Sequence, residues 1–112
     1  MIFCFDLDNV ICKSESTDYS LSEPYFEVID KINSLHSNGN EILIFTARYM
    51  GRNKNDVNLA IEQGYDSTEV QLNEWGLNYH KLIFGKPVYD VFVDDKNFEF
   101  KPNWLENFKI KY

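Results

Sequence analysis

The sequence predicts an α/β protein built on a parallel sheet, and three observations carry that prediction. Short apolar runs at residues 2–7 (IFCFDL), 41–45 (EILIF), 81–84 (KLIF) and 89–93 (YDVFV) alternate with longer amphipathic or polar segments. The first run is apolar on both alternating faces, with Ile2 and Cys4 on one and Phe3, Phe5 and Leu7 on the other, as in a strand covered on both sides. Strands separated by helical crossovers imply parallel pairing, right-handed connections and helices on both faces.

The elements follow in order. Residues 2–7 form the first strand. A polar stretch, 13–20, leads to Ser22 as an expected N-cap with Pro24 in the first turn. Phe26, Val28, Ile29, Ile32 and Leu35 then recur at helical spacing until Asn38-Gly39 stops the helix. Residues 41–45 form the second strand, ending in Thr46-Ala47-Arg48. The glycine-punctuated stretch 49–65 is expected to be a long loop or partly helical flap. Thr68-Glu-Val-Gln71 has the capping-box pattern and is expected to open a helix that Gly76 stops. Residues 81–84 and 89–93 are the third and fourth strands, the latter ending in Asp94-Asp95. The tail, with Pro102, Trp104, Phe108 and Ile110, packs as a short edge element of unassigned type.

Composition bounds the chemistry. A chain of 112 residues, 44% hydrophobic, fills one core and forms one domain. Its formal net charge of -7 opposes any footprint built on neutralising a phosphate backbone, so nucleic acid is disfavoured as a partner. Cys4 and Cys12 have no metal-ligand spacing and make no disulfide framework, which fits a reduced, cytoplasmic setting. No stretch reaches the roughly 18 apolar residues of a membrane span, and no basic-then-apolar leader opens the chain.

Function is read from the strand ends. In an open parallel sheet, ligands bind beyond the carboxyl ends of the strands. Those ends deliver Asp6 and Asp8, then Thr46, then Lys86 from the loop before the fourth strand, then Asp94 and Asp95. In extended backbone residues i and i+2 point the same way, so Asp6 and Asp8 share a side while Leu7 turns into the core. Four acids in one crevice repel unless a hard cation binds there. Mg²⁺ suits carboxylates, waters and a substrate phosphate, and Lys86 with the Thr46 hydroxyl suits the phosphoryl oxygens.

The motifs FDLDN, IFTAR, FGKP and VDD, in this order, resemble the haloacid dehalogenase (HAD) superfamily of aspartate-nucleophile phosphotransferases, over essentially the whole chain. They look most like small phosphatases of bacterial capsule and surface-polysaccharide pathways. The resemblance implies a Rossmannoid three-layer sandwich with a central parallel sheet. It implies Asp6 as nucleophile and Asp8 as general acid and base. Mg²⁺ would be held by the Asp6 carboxylate, the Asp8 main-chain carbonyl and Asp94, with Asp95 bound directly or through another ligand. Thr46, the following amide of Ala47 and Lys86 would hold the phosphoryl group. Many members follow the second aspartate with glycine and threonine, whereas Asn9 and Val10 stand here. Only 40 positions separate Asp6 from Thr46, and 40 more separate Thr46 from Lys86, so no cap domain fits. The open site is expected to take large substrates, or to borrow cover from residues 49–65 or from a second copy in a homo-oligomer. Asn9, Arg48, Tyr49 and Arg52 are the expected contacts to a small phosphorylated substrate.

Blander readings compete residue by residue. An Asp-Asp doublet alone is more often a turn opener, a lysine before proline is often solvated, and arginines are more often paired to surface acids than catalytic. Two other functions stand beside the phosphomonoesterase: a polynucleotide 3'-phosphatase, which the acidic balance opposes, and a catalytically silent binding module on the same scaffold.

Overall fold

A computed structural model describes residues 1–112. The chain runs β1 (Ile2–Asp6), α1 (Phe26–Ser37), β2 (Glu41–Thr46), α2 (Val57–Glu74), β3 (Lys81–Phe84) and α3 (Trp104–Lys111). The three strands form one parallel sheet in the order β1-β2-β3. A two-residue antiparallel ladder, Cys12–Lys13 with Glu23–Pro24, closes the connection after β1.

Register decides which side chains form the core. Phe3 and Phe5 lie in register with Ile42 and Ile44, while Ile44 and Thr46 lie in register with Leu82 and Phe84. This face is buried, apart from the half-buried Phe3, and Ile42 and Ile44 are fully buried. Each such aliphatic contributes roughly 1.5–3 kcal/mol of burial. Phe108 of α3 sets its ring against Phe3 and Phe5, and Tyr65 of α2 sets its ring against Phe84. Two successive right-handed crossovers in one direction also place α1 beside α2, and Asn33 of α1 bonds the Gly76 carbonyl and the Asn78 amide beyond α2. The opposite face carries Ile2 and Cys4, both exposed, with Leu43, Phe45 and Ile83 half-buried. The helices therefore cover one face, where helices on both were expected.

Two local expectations differ from the structure, at Ser22 and at Thr68, and two left open, the 49–65 stretch and the tail, take a definite form. Ser22 does not cap α1. It ends a 3-10 turn, Tyr19–Leu21, and Pro24 sits in the short ladder, so α1 starts at Phe26. The stretch 49–65 is not a loop throughout, because α2 begins at Val57, where the Asp56 side chain accepts from the amides of Asn58 and Leu59. The capping-box pattern at Thr68 lies inside that helix. Its buried stripe is Ala60, Gly64, Thr68 and Leu72, narrow and mostly small, so it leaves little apolar signal in the sequence. The tail is helical, as α3.

Residues 89–93 form no strand. The Lys86 amide is tied to the Thr46 carbonyl and the Val88 amide to Asn55 Oδ1, which holds the chain on the β2–β3 side as it leaves β3. The apolar run beyond it pairs with no strand, and Val91 is 78% and Val93 90% exposed. Strand propensity expresses a fit to a paired surface, and without a ladder partner it is not realised.

Gly64 makes one close approach available. A β-carbon there would overlap the Tyr49 ring. Alanine in mid-helix ordinarily gains about 0.5–1 kcal/mol over glycine, but forcing a buried overlap costs roughly 1–3 kcal/mol. Gly64→Ala is therefore expected to lower the thermal midpoint. In a Tyr49→Ala background the same change should become neutral or stabilising; an equal loss in both backgrounds, read by thermal denaturation, refutes the steric account.

Candidate active site

The loop after β1 is built around Leu7. Its carbonyl accepts from the amides of Val10, Ile11 and Cys12, and Leu7 itself is fully buried. Asn9 takes a positive φ of 65°, a conformation asparagine tolerates better than most residues, and its Oδ1 accepts from the Ser14 amide. With Leu7 inward, Asp6 and Asp8 both face one cavity of about 420 Å³. Asn9, Ala47, Arg48, Arg52 and Lys86 line it too.

Each acid has a basic partner. Lys86 Nζ lies 3.2 Å from Asp6 Oδ2, while Asp6 Oδ1 accepts from the Leu7 amide at 2.9 Å. Gly85 makes this return possible: its φ is +106° and a β-carbon there meets Val57 at 2.9 Å. Burial pushes the Asp6 carboxyl above the ordinary carboxylate range, more than Lys86 and the Leu7 amide pull it down. Burial lowers the Lys86 ammonium less than the Tyr89 hydrogen bond and the Asp6 charge raise it, so it stays above the ordinary lysine value.

Asp8 is gripped by Arg48. Nε donates to Asp8 Oδ2 at 3.0 Å and Oδ1 at 3.2 Å, and Nη2 donates to Oδ1 at 3.0 Å. Nη1 donates to Gln71 Oε1 at 2.7 Å and to Thr68 Oγ1 at 3.5 Å, and Nη2 also reaches Ser22 Oγ at 3.5 Å. The five N–H groups of a guanidinium are thereby all engaged within the protein. Arg48 is 1% exposed and lies 4.6 Å beneath the Tyr19 ring centroid. It lines the cavity floor as the clamp on Asp8, with no donor left for a substrate. This also explains Thr68: its hydroxyl serves Arg48 rather than a helix end.

Cys12 sits beside this clamp, its Sγ 3.5 Å from Asp8 Oδ1. Burial pushes its thiol up to about 11, so it stays protonated near neutral pH and offers no competing nucleophile.

Three expected residues are placed elsewhere. Thr46 is fully buried beneath the cavity, its Oγ1 accepting from the Arg48 amide at 3.1 Å, and it does not line the space. Asp94 and Asp95 are exposed on the irregular segment after β3, and Asp94 Oδ1 accepts from the Lys96 amide. No three His, Cys, Asp or Glu side chains gather into a group able to hold a metal ion. Asp6 and Asp8 meet at the cavity, while Asp94 and Asp95 are not among the residues that line it. The repulsion that called for a cation in the sequence argument is met here by Lys86 and Arg48.

Ser14, Ser16, Thr17, Tyr19 and Tyr89 also line the cavity, and no motif marks them in the sequence. The polar stretch 13–20 reads as a connector, yet it forms a wall of the cavity. Ser14 Oγ donates to Asp8 Oδ1, and Gln71 Nε2 donates to the Tyr19 carbonyl. A larger open groove of about 640 Å³ lies between the starts of α1 and α3, lined by Pro24, Phe26, Pro102 and Trp104. It holds no aspartate; both Asp6 and Asp8 face the smaller cavity. No helix is long and apolar enough to cross a membrane.

No protein-family model matches this sequence, and no curated protein matches it. The fold is similar to that in a crystal structure of a structural-genomics target from Vibrio cholerae, with a TM-score of 0.80 and 21% sequence identity, covering 99% of this chain and 98% of that one. Likeness at that identity carries the fold alone. The chain thus adopts an α/β fold, a parallel three-stranded sheet flanked by helices, that it shares along nearly its whole length with the Vibrio cholerae protein.

Proposed function

We propose that this chain is a HAD-type phosphomonoesterase acting through an aspartyl-phosphate on a small phosphorylated metabolite, a sugar, polyol or amino-alcohol phosphate of cytoplasmic surface-polysaccharide synthesis. The observation that carries this reading is the pairing of Asp6 with Lys86 at a cavity that also holds Asp8. A nucleophilic carboxylate beside a cation able to take phosphoryl oxygens, with a second acid in the same space, is what phosphoryl transfer to a side chain needs.

In the first step an Asp6 carboxylate oxygen attacks phosphorus. The new P–O bond forms as the ester P–O bond breaks, and the leaving oxygen takes its electron pair and a proton from Asp8. In the second, water attacks the same phosphorus and gives its proton to Asp8, while the bond to Asp6 breaks, returning the carboxylate and inorganic phosphate. Lys86 holds phosphoryl oxygens in both, and Arg48 keeps Asp8 oriented.

Magnesium belongs to the proposal as the resemblance implies it. Because Asp94 and Asp95 lie outside the cavity, no step is assigned to the ion. The nucleic-acid alternative gains little support: Arg48 and Lys86 are each paired to an acid, which leaves Arg52 as the unpaired cation of the cavity.

A panel of phosphorylated metabolites, assayed for phosphate release with added Mg²⁺ or with EDTA, tests the reading. Turnover of at least one ester, lost in EDTA and restored by Mg²⁺, is expected. Silence across the panel with Mg²⁺ present overturns it in favour of a binding module.

A further inference from the structure

Charge around the cavity is unevenly shared. Two acids, Asp6 and Asp8, face three bases, Arg48, Arg52 and Lys86. Two of those bases lie within 3.2 Å of an acid, and Arg52 forms no ion pair at all. The cavity is locally positive in a chain whose formal charge is -7.

Arg52 is nonetheless held in place. Its Nη2 donates to the Thr17 carbonyl at 2.7 Å, tying the connector after β1 to the loop after β2. Its guanidinium carbon lies 4.5 Å from the Tyr49 ring centroid and 5.7 Å from that of Tyr19, and those rings are 5.2 Å apart. Tyr49 is in turn seated against Gly64. A guanidinium stacked on aromatic rings and bonded through one donor keeps other donors free in a planar fork, the geometry that matches a carboxylate or phosphate. Ser14, Ser16, Thr17 and Asn9 supply neutral hydrogen-bonding groups between this cation and Asp8.

We propose that Arg52 determines specificity by binding a second anionic group carried on the leaving group, so that the preferred ligands are phosphomonoesters bearing a carboxylate or a further phosphate. The inference rests on the phosphomonoesterase reading for turnover, and on geometry alone for binding. Lys86 and Asp6 take the phosphoryl end; Arg52, held against the wall formed by residues 14–19, takes the distal anion.

The test compares β-glycerophosphate with 2-phosphoglycerate, which carries a carboxylate in place of one hydroxymethyl group. In the unmodified protein kcat/KM is expected to favour 2-phosphoglycerate at least tenfold, mostly through KM. Arg52→Gln should collapse that ratio toward one, and Arg52→Lys should restore part of it. Calorimetric binding of both esters to Asp6→Asn protein gives a readout without turnover, and there too 2-phosphoglycerate should bind at least tenfold tighter. A glycerol bisphosphate in the same binding assay distinguishes the two anions. If the binding preference holds while neither ester is hydrolysed, the role of Arg52 stands and the phosphatase reading falls. Equal binding of the two glycerol esters, or an equal loss on both with Arg52→Gln, overturns the proposal.

Discussion

Asp6→Asn is expected to lose phosphate release by roughly a thousandfold or more, since the amide is a poor nucleophile and neither step has a substitute. The exchange preserves shape, so circular dichroism should show a folded protein. Unmodified protein quenched during turnover should carry one covalent phosphoryl group by mass spectrometry, and Asp6→Asn protein none. Asp6→Asn protein that turns over at the unmodified rate would falsify the nucleophile assignment. The substitution has a second signature, best measured in EDTA. Burial raises the Asp6 pKa above 3.8 in the folded state, so the folded chain binds its proton more tightly than the unfolded chain does. The stability tied to that proton is present below the unfolded value and is lost as pH rises through the folded one. The unmodified protein should therefore lose thermal stability relative to Asp6→Asn over that window, upward from pH 3.8. A difference that stays constant with pH refutes the buried-carboxylate account.

The second large effect concerns Lys86. Lys86→Met keeps much of the side-chain stem but removes the cation beside Asp6, together with the donor expected to meet phosphoryl oxygens. Removing one such preorganised donor from an active site typically costs about 10²–10³ in kcat. The expected result is a fall of that order in kcat/KM, with weaker inhibition by inorganic phosphate. Binding of phosphate should weaken in parallel by calorimetry. A variant whose phosphate affinity is unchanged assigns Lys86 to holding Asp6 alone. Because Tyr89 also bonds the ammonium, a smaller change of the same sign is expected from Tyr89→Phe.

Much of this arrangement can be read along the chain. Asp6 and Asp8 sit two apart on extended backbone, and that spacing alone turned both carboxylates to one side with Leu7 in the core. Lys86 was legible as a residue of the loop after the third apolar run, whereas the φ of +106° by which Gly85 brings it back over the sheet end is visible only in the structure. The three paired strands were legible from their apolar runs. The start of α2 was only weakly legible, as helical character near residues 57–62, since a helix buried on Ala60, Gly64 and Thr68 hides its core face among small and polar residues.

The role of Arg48 illustrates the opposite case. As a side chain beside a strand-end threonine it reads as a substrate contact, yet its clamp draws on Asp8, Ser22, and Thr68 with Gln71 on α2, three separate parts of the chain. Asp94 and Asp95 depended on a strand that needs a partner. Their segment pairs with no strand, and the doublet is not part of the cavity lining.

By itself, then, the sequence determined three of the four expected strands, the direction in which they run, and Asp6, Asp8 and Lys86 at their ends, because periodicity and i, i+2 geometry are local. Tertiary structure alone decided that Lys86 and Arg48 neutralise those acids, that Tyr19 and residues 14–17 wall the cavity, and that Arg52 is left with charge to spare. Ion pairing and burial depend on segments tens of residues apart meeting in space, and no local pattern encodes that meeting.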